Sequence, residues 1–404
     1  MSMMKTDENR VNNLVEYVHG LLRKENGKEL YLKYRSDIEQ VTPQEAFEIF
    51  YRLLQMGQAP GEILTYLDKV INVFYKSLAG YSWKRPEENS FLGLLMQENR
   101  ALVARLEAIK KIIKEKDFQA GKEELTVKIR ELLKFNGHYL KKENILFPFL
   151  EKKAKKFDGL AIMWSLHDEA RARLKKVIEC LEAKECKEAE FNAEIGTLFF
   201  DIYGLVQKEE LILFPTASEI IGENEWSEMQ KQSMEYDFPF IEKPKQELAA
   251  QSIPGDMNEL ITAFKEDYQF RTETGVLNFQ QMVMIFNALP VDLTFVDENN
   301  QVRFFTRPKD RIFPRSPAII GRDVEKCHPP ESVHVVQKII EAFRAGEQDV
   351  ASFWIQLNGK LILIQYFALR DPAGKYGGIL EVSQDISGIK ELEGERRLLH
   401  WGKV

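Results

Sequence analysis

The segment Lys142-Glu143-Asn144-Ile145-Leu146-Phe147-Pro148 recurs 67 residues later as Glu209-Glu210-Leu211-Ile212-Leu213-Phe214-Pro215, and this repeat decides how the N-terminal half folds. The residues ahead of each copy match too. Asn99-Arg100-Ala101-Leu102, with Leu106 and Ile109, parallels His167-Asp168-Glu169-Ala170, with Leu174 and Val177. Apolar residues in the four segments 90–115, 122–152, 160–184 and 190–219 recur with the 3.6-residue period of a helix that buries one face. Short loops make sequential helices antiparallel. Two similar helical hairpins therefore predict a four-helix bundle with pseudo-twofold symmetry.

Upstream, Val11, Leu14, Val15, Val18, Leu21 and Leu22 mark one face of a further helix. Thr42-Pro43-Gln44-Glu45 supplies an N-cap, a proline at the first helical position and a capping-box glutamate, starting a helix to about Met56. Ala59-Pro60-Gly61 begins another, through Tyr75. Downstream, the periodicity fades into a proline-containing stretch with Phe238-Pro239, Lys243-Pro244 and Ile253-Pro254-Gly255. Beyond it the composition turns to strands at 292–296, 302–305, 351–355, 361–369 and 378–382, with one helix at about 330–344 and another at 387–400. The expected domains are 1–78, a helical unit of unknown function; 79–225, the bundle; 226–265, a linker; and 266–404, a small α+β domain with a five-stranded antiparallel sheet.

The chain has 404 residues and a net charge of −7, which argues against a nucleic-acid binder that works by neutralising phosphates. No apolar run is long enough to span a bilayer, and residues 1–13 lack a secretory apolar region, so a cytoplasmic location is expected. The odd set Cys180, Cys186 and Cys327, at irregular spacing, predicts neither a disulfide framework nor a zinc site. No Gly-x-x-x-x-Gly-Lys-Ser/Thr phosphate loop and no Gly-x-Ser-x-Gly elbow is present, and nothing else assigns an enzyme activity.

On the repeated histidine, acidic-pair and Ile-Leu-Phe-Pro segments, the bundle resembles the hemerythrin-like (HHE) family. The C-terminal domain resembles a PAS domain through Leu-Pro-Val-Asp-Leu-Thr-Phe-Val-Asp (289–297), Cys-His-Pro-Pro (327–330), Arg-Asp-Pro-Ala-Gly (370–374) and Gln-Asp-Ile (384–386). The whole order is similar to bacterial proteins that place an uncharacterised helical domain before such a bundle and a PAS domain after it.

The resemblance implies a ligand set. Each hairpin would give one histidine from its first helix, then a histidine and, four residues on, a glutamate from its second. Here Asn99, His138 and Lys142 occupy those positions in the first hairpin, and His167, Leu205 and Glu209 in the second, so three of six ligands remain. Glu143 and Glu210 lie one position further on, rotated by about 100°. Relatives carry extra histidines at positions matching Gly93 and Val70. Two readings stay open: His138 and His167 as interior histidines hydrogen-bonded to Glu209 or Glu143, or a weakened iron site built from His138, His167 and Glu209 with Glu143. Glu98, Asp168 and Met96 are further potential donors.

In the PAS domain, Phe295, Phe304, Ile319, Phe353 and Phe367 are the expected walls of a gap that in this family holds haem, flavin or a metabolite. Cys327 and His328 are the candidates for touching such a ligand. The alternative is that Pro329-Pro330 sets a helix start with His328 packed beside it. His19, His334 and His400 have no partner in sequence. The architecture implies a cytoplasmic sensory or regulatory protein, with a signalling partner protein and a homodimer through the PAS domain as its partners. The alternative is an iron protein acting on O₂, NO or peroxide. Iron in the bundle, weak or absent, is the expected cofactor, and the PAS ligand is left open.

Overall fold

The computed structural model describes residues 6–244 and 269–395, and the chain separates into two compact units. The first is all-helical. Its N-terminal part holds α1 (Glu8–Leu22), α2 (Gly27–Ile38), α3 (Pro43–Gln55) and α4 (Pro60–Ala79). The Thr42 capping box forms as its sequence dictates, with the Thr42 hydroxyl accepting from the Glu45 amide and the Glu45 carboxylate accepting from the Thr42 amide. Arg10 also reaches the buried Glu45 at 2.8 Å, tying α1 to the start of α3.

The bundle follows as α5 (Phe91–Glu115), α6 (Phe118–Glu131), α7 (Asn136–Lys141), α8 (Phe147–Glu151), α9 (Ala161–Glu182), α10 (Glu188–Lys208) and α11 (Phe214–Ile220). Its apolar stripes join those of α1–α4 in one continuous core running from Val11 to Tyr236. Both copies of the repeat carry a π-helical turn at the same place, Lys142–Leu146 and Glu209–Leu213. Each turn runs into a Phe-Pro pair. Proline has no amide to complete an i→i−4 bond and its ring crowds that carbonyl, and the wider turn relieves both defects.

Helix α12 (Glu223–Ser233) crosses the expected boundary at 225 and supplies a short helix in the stretch read as linker. One expectation changes here. Cys180 and Cys186, read as unpaired, are joined as a disulfide across the α9–α10 turn, their Cα atoms 5.4 Å apart. The turn folds two helix ends side by side, which brings into reach two cysteines whose spacing alone gave no pairing signal.

The described part of the second unit opens with a hairpin, β1 (Gln269–Thr272) and β2 (Gly275–Asn278), and α13 (Phe279–Ala288), none of which the alternation revealed. Then come β3 (Asp292–Asp297), β4 (Val302–Phe305), α14 (Pro330–Ala345), β5 (Val350–Leu357), β6 (Lys360–Arg370), β7 (Tyr376–Asp385) and α15 (Ser387–Lys390). The five-stranded antiparallel sheet has the order β4-β3-β7-β6-β5. The helix expected at 387–400 ends at Lys390; Leu398, Leu399 and His400 lie outside the described residues.

Strand β3 alternates strictly, with Asp292, Thr294 and Val296 buried and Leu293 and Phe295 partly exposed. The register carries this alternation across the sheet. Phe295 pairs with Leu380, Leu380 with Phe367, and Phe367 with Val350, while Leu363 pairs with Trp354. All of these share the less buried face. On β3, β5, β6 and β7 that face carries only apolar residues, glycine, serine and glutamine between the strand ends. The covered face instead holds Asp292, Thr294, Glu381 and Ser383.

Candidate functional site

All four long segments of the bundle send polar side chains into its centre. His138 comes from α7, His167 from α9, Glu98 and Asn99 from α5, and Glu209 from the π-turn after α10. Lys142 and Glu143 come from the other π-turn. Each of these is at most 1% exposed, as is Lys141. His138 Nδ1 lies 2.8 Å from Glu98 Oε2, and its Nε2 lies 3.0 Å from Glu209 Oε2. Asn99 Nδ2 donates to the same Glu209 oxygen at 2.9 Å.

Lys142 Nζ makes an ion pair with Glu209 and donates to His167 Nε2 at 2.9 Å. An ammonium has donors and no acceptor, so His167 Nε2 must present its lone pair and carry no proton. The proton then sits on Nδ1, which donates to Glu143 Oε1 at 2.8 Å. Arg171 closes this side, donating to Glu143 at 2.9 Å and to Asp168 at 2.8 Å. Lys141 pairs with Glu98 and donates to the Asp237 carbonyl at 2.9 Å. Glu98, Glu143 and Glu209 thus face Lys141, Lys142 and Arg171.

Electrostatics follow from burial and these contacts. Burial works to raise the Glu209 carboxyl, and Lys142 and His138 overcome it, holding Glu209 well below the usual carboxylate range. Burial lowers the Lys142 ammonium, opposed by Glu209. Burial, then Lys142 and Arg171, push His167 well below 6.5, which agrees with the neutral tautomer the hydrogen bonds require. Aromatic rings fix both imidazoles. Phe135 stacks on His138 and Tyr139 on His167, each with centroids 4.5 Å apart and planes at 18°.

The four residues singled out from sequence, His138, Glu143, His167 and Glu209, therefore meet in one cluster. Glu210 does not: it stays partly exposed, 3.9 Å from Arg85. Leu205 fills its ligand position with hydrocarbon. At Gly93 an added Cβ would lie 2.0 Å from the Glu87 carbonyl oxygen, so a histidine there has no room in this chain, and Val70 is buried in the core. Sequence reasoning missed Lys141 and Arg171. Their signal was spacing, three residues after His138 and four after His167, which places them on the histidines' own helix faces. Among the described residues, no group of three or more His, Cys, Asp or Glu side chains is arranged to hold a metal ion.

The α/β unit has its own cavity, of about 30 Å³, lined by Val296, Val324, His328, Ile340, Tyr366 and Ile379 among others. That is room for about one or two waters. Of the phenylalanine walls expected there, Phe295, Phe304 and Phe367 lie on the opposite sheet face, one residue out of step with Val296 and Tyr366, which do line it. Phe353 sits on the edge strand at 38% exposure, and Ile319 is buried away from the lining. His328 reaches the cavity, its Nδ1–H donating to the Val324 carbonyl at 2.8 Å. Cys327 turns elsewhere, its Sγ donating to the Asp323 carbonyl at 3.6 Å. Beside the cavity Arg315 donates to Glu381 at 2.8 Å.

Residues 90–217 match the family described as hemerythrin HHE cation binding domain, and residues 282–387 match the PAS domain family. The chain joins a hemerythrin HHE domain to a PAS domain. The match to the first spans both copies of the repeat and all four helix segments that meet at His138 and His167. No curated protein matches the chain. Among solved structures, a C-terminal domain from Streptococcus mutans is 34% identical over 32% of this chain and 99% of that one, with a TM-score of 0.30. A PAS domain from Colwellia psychrerythraea is 16% identical over 27% and 97% of the two chains, with a TM-score of 0.23. A sensory box sensor histidine kinase from Vibrio cholerae is 10% identical over 26% and 89%, with a TM-score of 0.21. Among the described residues no helix is long and apolar enough to cross a membrane.

Proposed function

We propose that the protein is a cytoplasmic sensory or regulatory protein that couples an HHE bundle closed by internal charge to a PAS domain that senses a ligand or docks a signalling partner. One observation carries the reading of the bundle: the Lys142 ammonium occupies the lone pair of His167 Nε2 and pairs with Glu209. A cation needs those same two donors, and an ammonium beside it repels it. The donor set of this chain does not fit an iron centre. The buried Lys141 and Lys142, with the partly exposed Arg171 at the edge of the cluster, supply the positive charge that balances Glu98, Glu143 and Glu209. The bundle is then a rigid scaffold for the attached domain.

For the PAS domain, a cavity of about 30 Å³ suits a water-sized group and not a haem or flavin ring. The signal that this domain reads is a small ligand at His328 or a partner protein at its surface. The net charge of −7 supports a protein that acts without nucleic acid.

A second reading, an iron protein acting on O₂, NO or peroxide, draws on the convergence of His138, His167, Glu143 and Glu209 in one cluster. Metal analysis and an absorption spectrum of the purified full-length chain separate the two. Substoichiometric iron and no iron-dependent bands are expected. Stoichiometric iron that is lost in His138→Ala overturns the proposal and favours the second reading.

A further inference from the structure

A void of about 40 Å³ lies inside the all-helical unit, where α3 and α4 pack against the bundle. Its walls include Phe47 of α3, Leu67 of α4, Gly159 in the short helical turn Lys155–Leu160, Met163 of α9, and Ile212 and Leu213 of the second π-turn. All six are buried. The volume admits roughly three water-sized probes, yet water finds little to hold it there. The one charged wall, Lys208, already donates to Asp68 and to the Gly204 carbonyl, which leaves at most one ammonium proton. A held water needs two to four polar partners, and voids with apolar walls stay dry.

Protein interiors are ordinarily filled as densely as organic crystals, and a simple filling was open to this one. Gly159 has a φ outside the left-handed region, and a Cβ added to it meets nothing closer than the Tyr51 amide nitrogen at 3.9 Å. Alanine would suit the backbone and occupy the space, whereas glycine costs stability in a helical turn. Crowding explains glycine at Gly93; at Gly159 neither crowding nor backbone conformation does. What glycine keeps here is the room beside it.

We infer that this void is a binding site for an uncharged, apolar molecule of roughly two or three non-hydrogen atoms, the size of a dissolved gas. The walls set the class. A charged or strongly hydrogen-bonding ligand would shed its water and gain no partners in return. A larger one would overpack the core. Ile212 and Leu213 belong to the same π-turn as Glu209, so the occupant packs against the turn that carries Glu209 into the charge cluster. Turns of this kind recur at functional positions in helices. The site goes beyond the sensory reading, and it stands whether or not the bundle takes iron.

Xenon, apolar and without hydrogen bonds, is the probe. Methyl NMR of the full-length chain, labelled at methionine and isoleucine, should show saturable shifts at Met163 and Ile212 as xenon pressure rises. Gly159→Ala should weaken this binding by roughly fivefold or more. It should also raise the melting temperature without xenon, since alanine restricts the unfolded chain. Met163→Ala enlarges the void and should bind xenon at least as well as the wild type, which keeps the test open if Gly159→Ala disturbs its turn. Circular dichroism melts confirm that both variants fold. No saturable shift in the wild type overturns the inference, as do equal affinities in the wild type and folded Gly159→Ala, or loss of xenon binding in folded Met163→Ala. A bound water detected by its Overhauser contact with the Met163 methyl also overturns it. Iron content, measured on the same samples, reports on the bundle separately.

Discussion

Lys142 Nζ donates to His167 Nε2 across 2.9 Å, from the π-turn of one hairpin to the first helix of the other. The contact fixes the tautomer of the imidazole, joins the two halves of the repeat and places a positive charge at the centre of the bundle.

Removing that charge should be costly. Lys142→Met strands a buried Glu209 carboxylate, and breaking one side of a buried pair costs roughly 3–5 kcal/mol. The double variant Lys142→Met/Glu209→Gln removes both charges and should recover much of the loss. Urea unfolding of the wild type, both single variants and the double variant reads the coupling directly. If the double variant loses the sum of the two single losses, the two side chains are not coupled.

Gly93 is where the loop before α5 presses on the helix. A methyl group at this position meets backbone carbonyl oxygens of Glu87 and Glu88 at 2.0 and 2.7 Å. Backbone must move to admit it, so Gly93→Ala should destabilise by about 1–3 kcal/mol. Gly93→His should be worse and should add no metal affinity. Thermal melts and metal titration check the two parts.

His328 gives the PAS domain a pH dependence with a definite sign. Burial lowers its proton affinity below the ordinary 6.5, and the hydrogen bond to Val324 only partly offsets this. Because the folded value is depressed, the unfolded chain binds the proton first. Its contribution to stability is whole above 6.5 and is lost as pH falls through the folded value. The melting temperature should therefore fall from about pH 7 to about pH 5, and more shallowly in His328→Gln. Identical slopes in the two proteins would remove His328 as the cause.

The Cys180–Cys186 disulfide closes a short loop at the end of the bundle. In the chain-entropy account a loop of this length contributes roughly 2 kcal/mol. Dithiothreitol should lower the stability of the wild type by about that amount and leave Cys180→Ser/Cys186→Ser unchanged. Intact mass after alkylation without reductant reports whether the bond is present.

Much of this molecule could be read from its residues, and the gaps have physical causes. The Thr42–Glu45 capping box and the hairpin repeat are local patterns with one structural solution, so α3 and the bundle follow from them. His138, His167, Glu143 and Glu209 could be picked out because the repeat fixes their faces. Lys141 and Arg171 shared the histidines' faces, but a basic residue on a helix is ordinarily solvated, and only the tertiary cluster shows Lys141 buried and Arg171 half-buried against Glu143. The phenylalanine walls failed for a different reason. A strand of period two with apolar residues on both faces does not say which face is covered, and Val296 lines the cavity while Phe295 faces away. Helix α13 escaped because its residues lack the polar face that marks an amphipathic segment.

The paired π-turns carry a last consequence. Lys142–Leu146 and Glu209–Leu213 are offset by the same 67 residues as the repeat itself, so both hairpins reach Phe-Pro in the same phase. Deleting one residue from either turn would restore ordinary helix and rotate the segment beyond it by about 100°, swinging Phe147 or Phe214 off the core. The two copies have parted company in chemistry, lysine in one where the other has glutamate, but they keep the same count of residues. For this bundle the length of the turn is a stricter requirement than the identity of the side chain it presents.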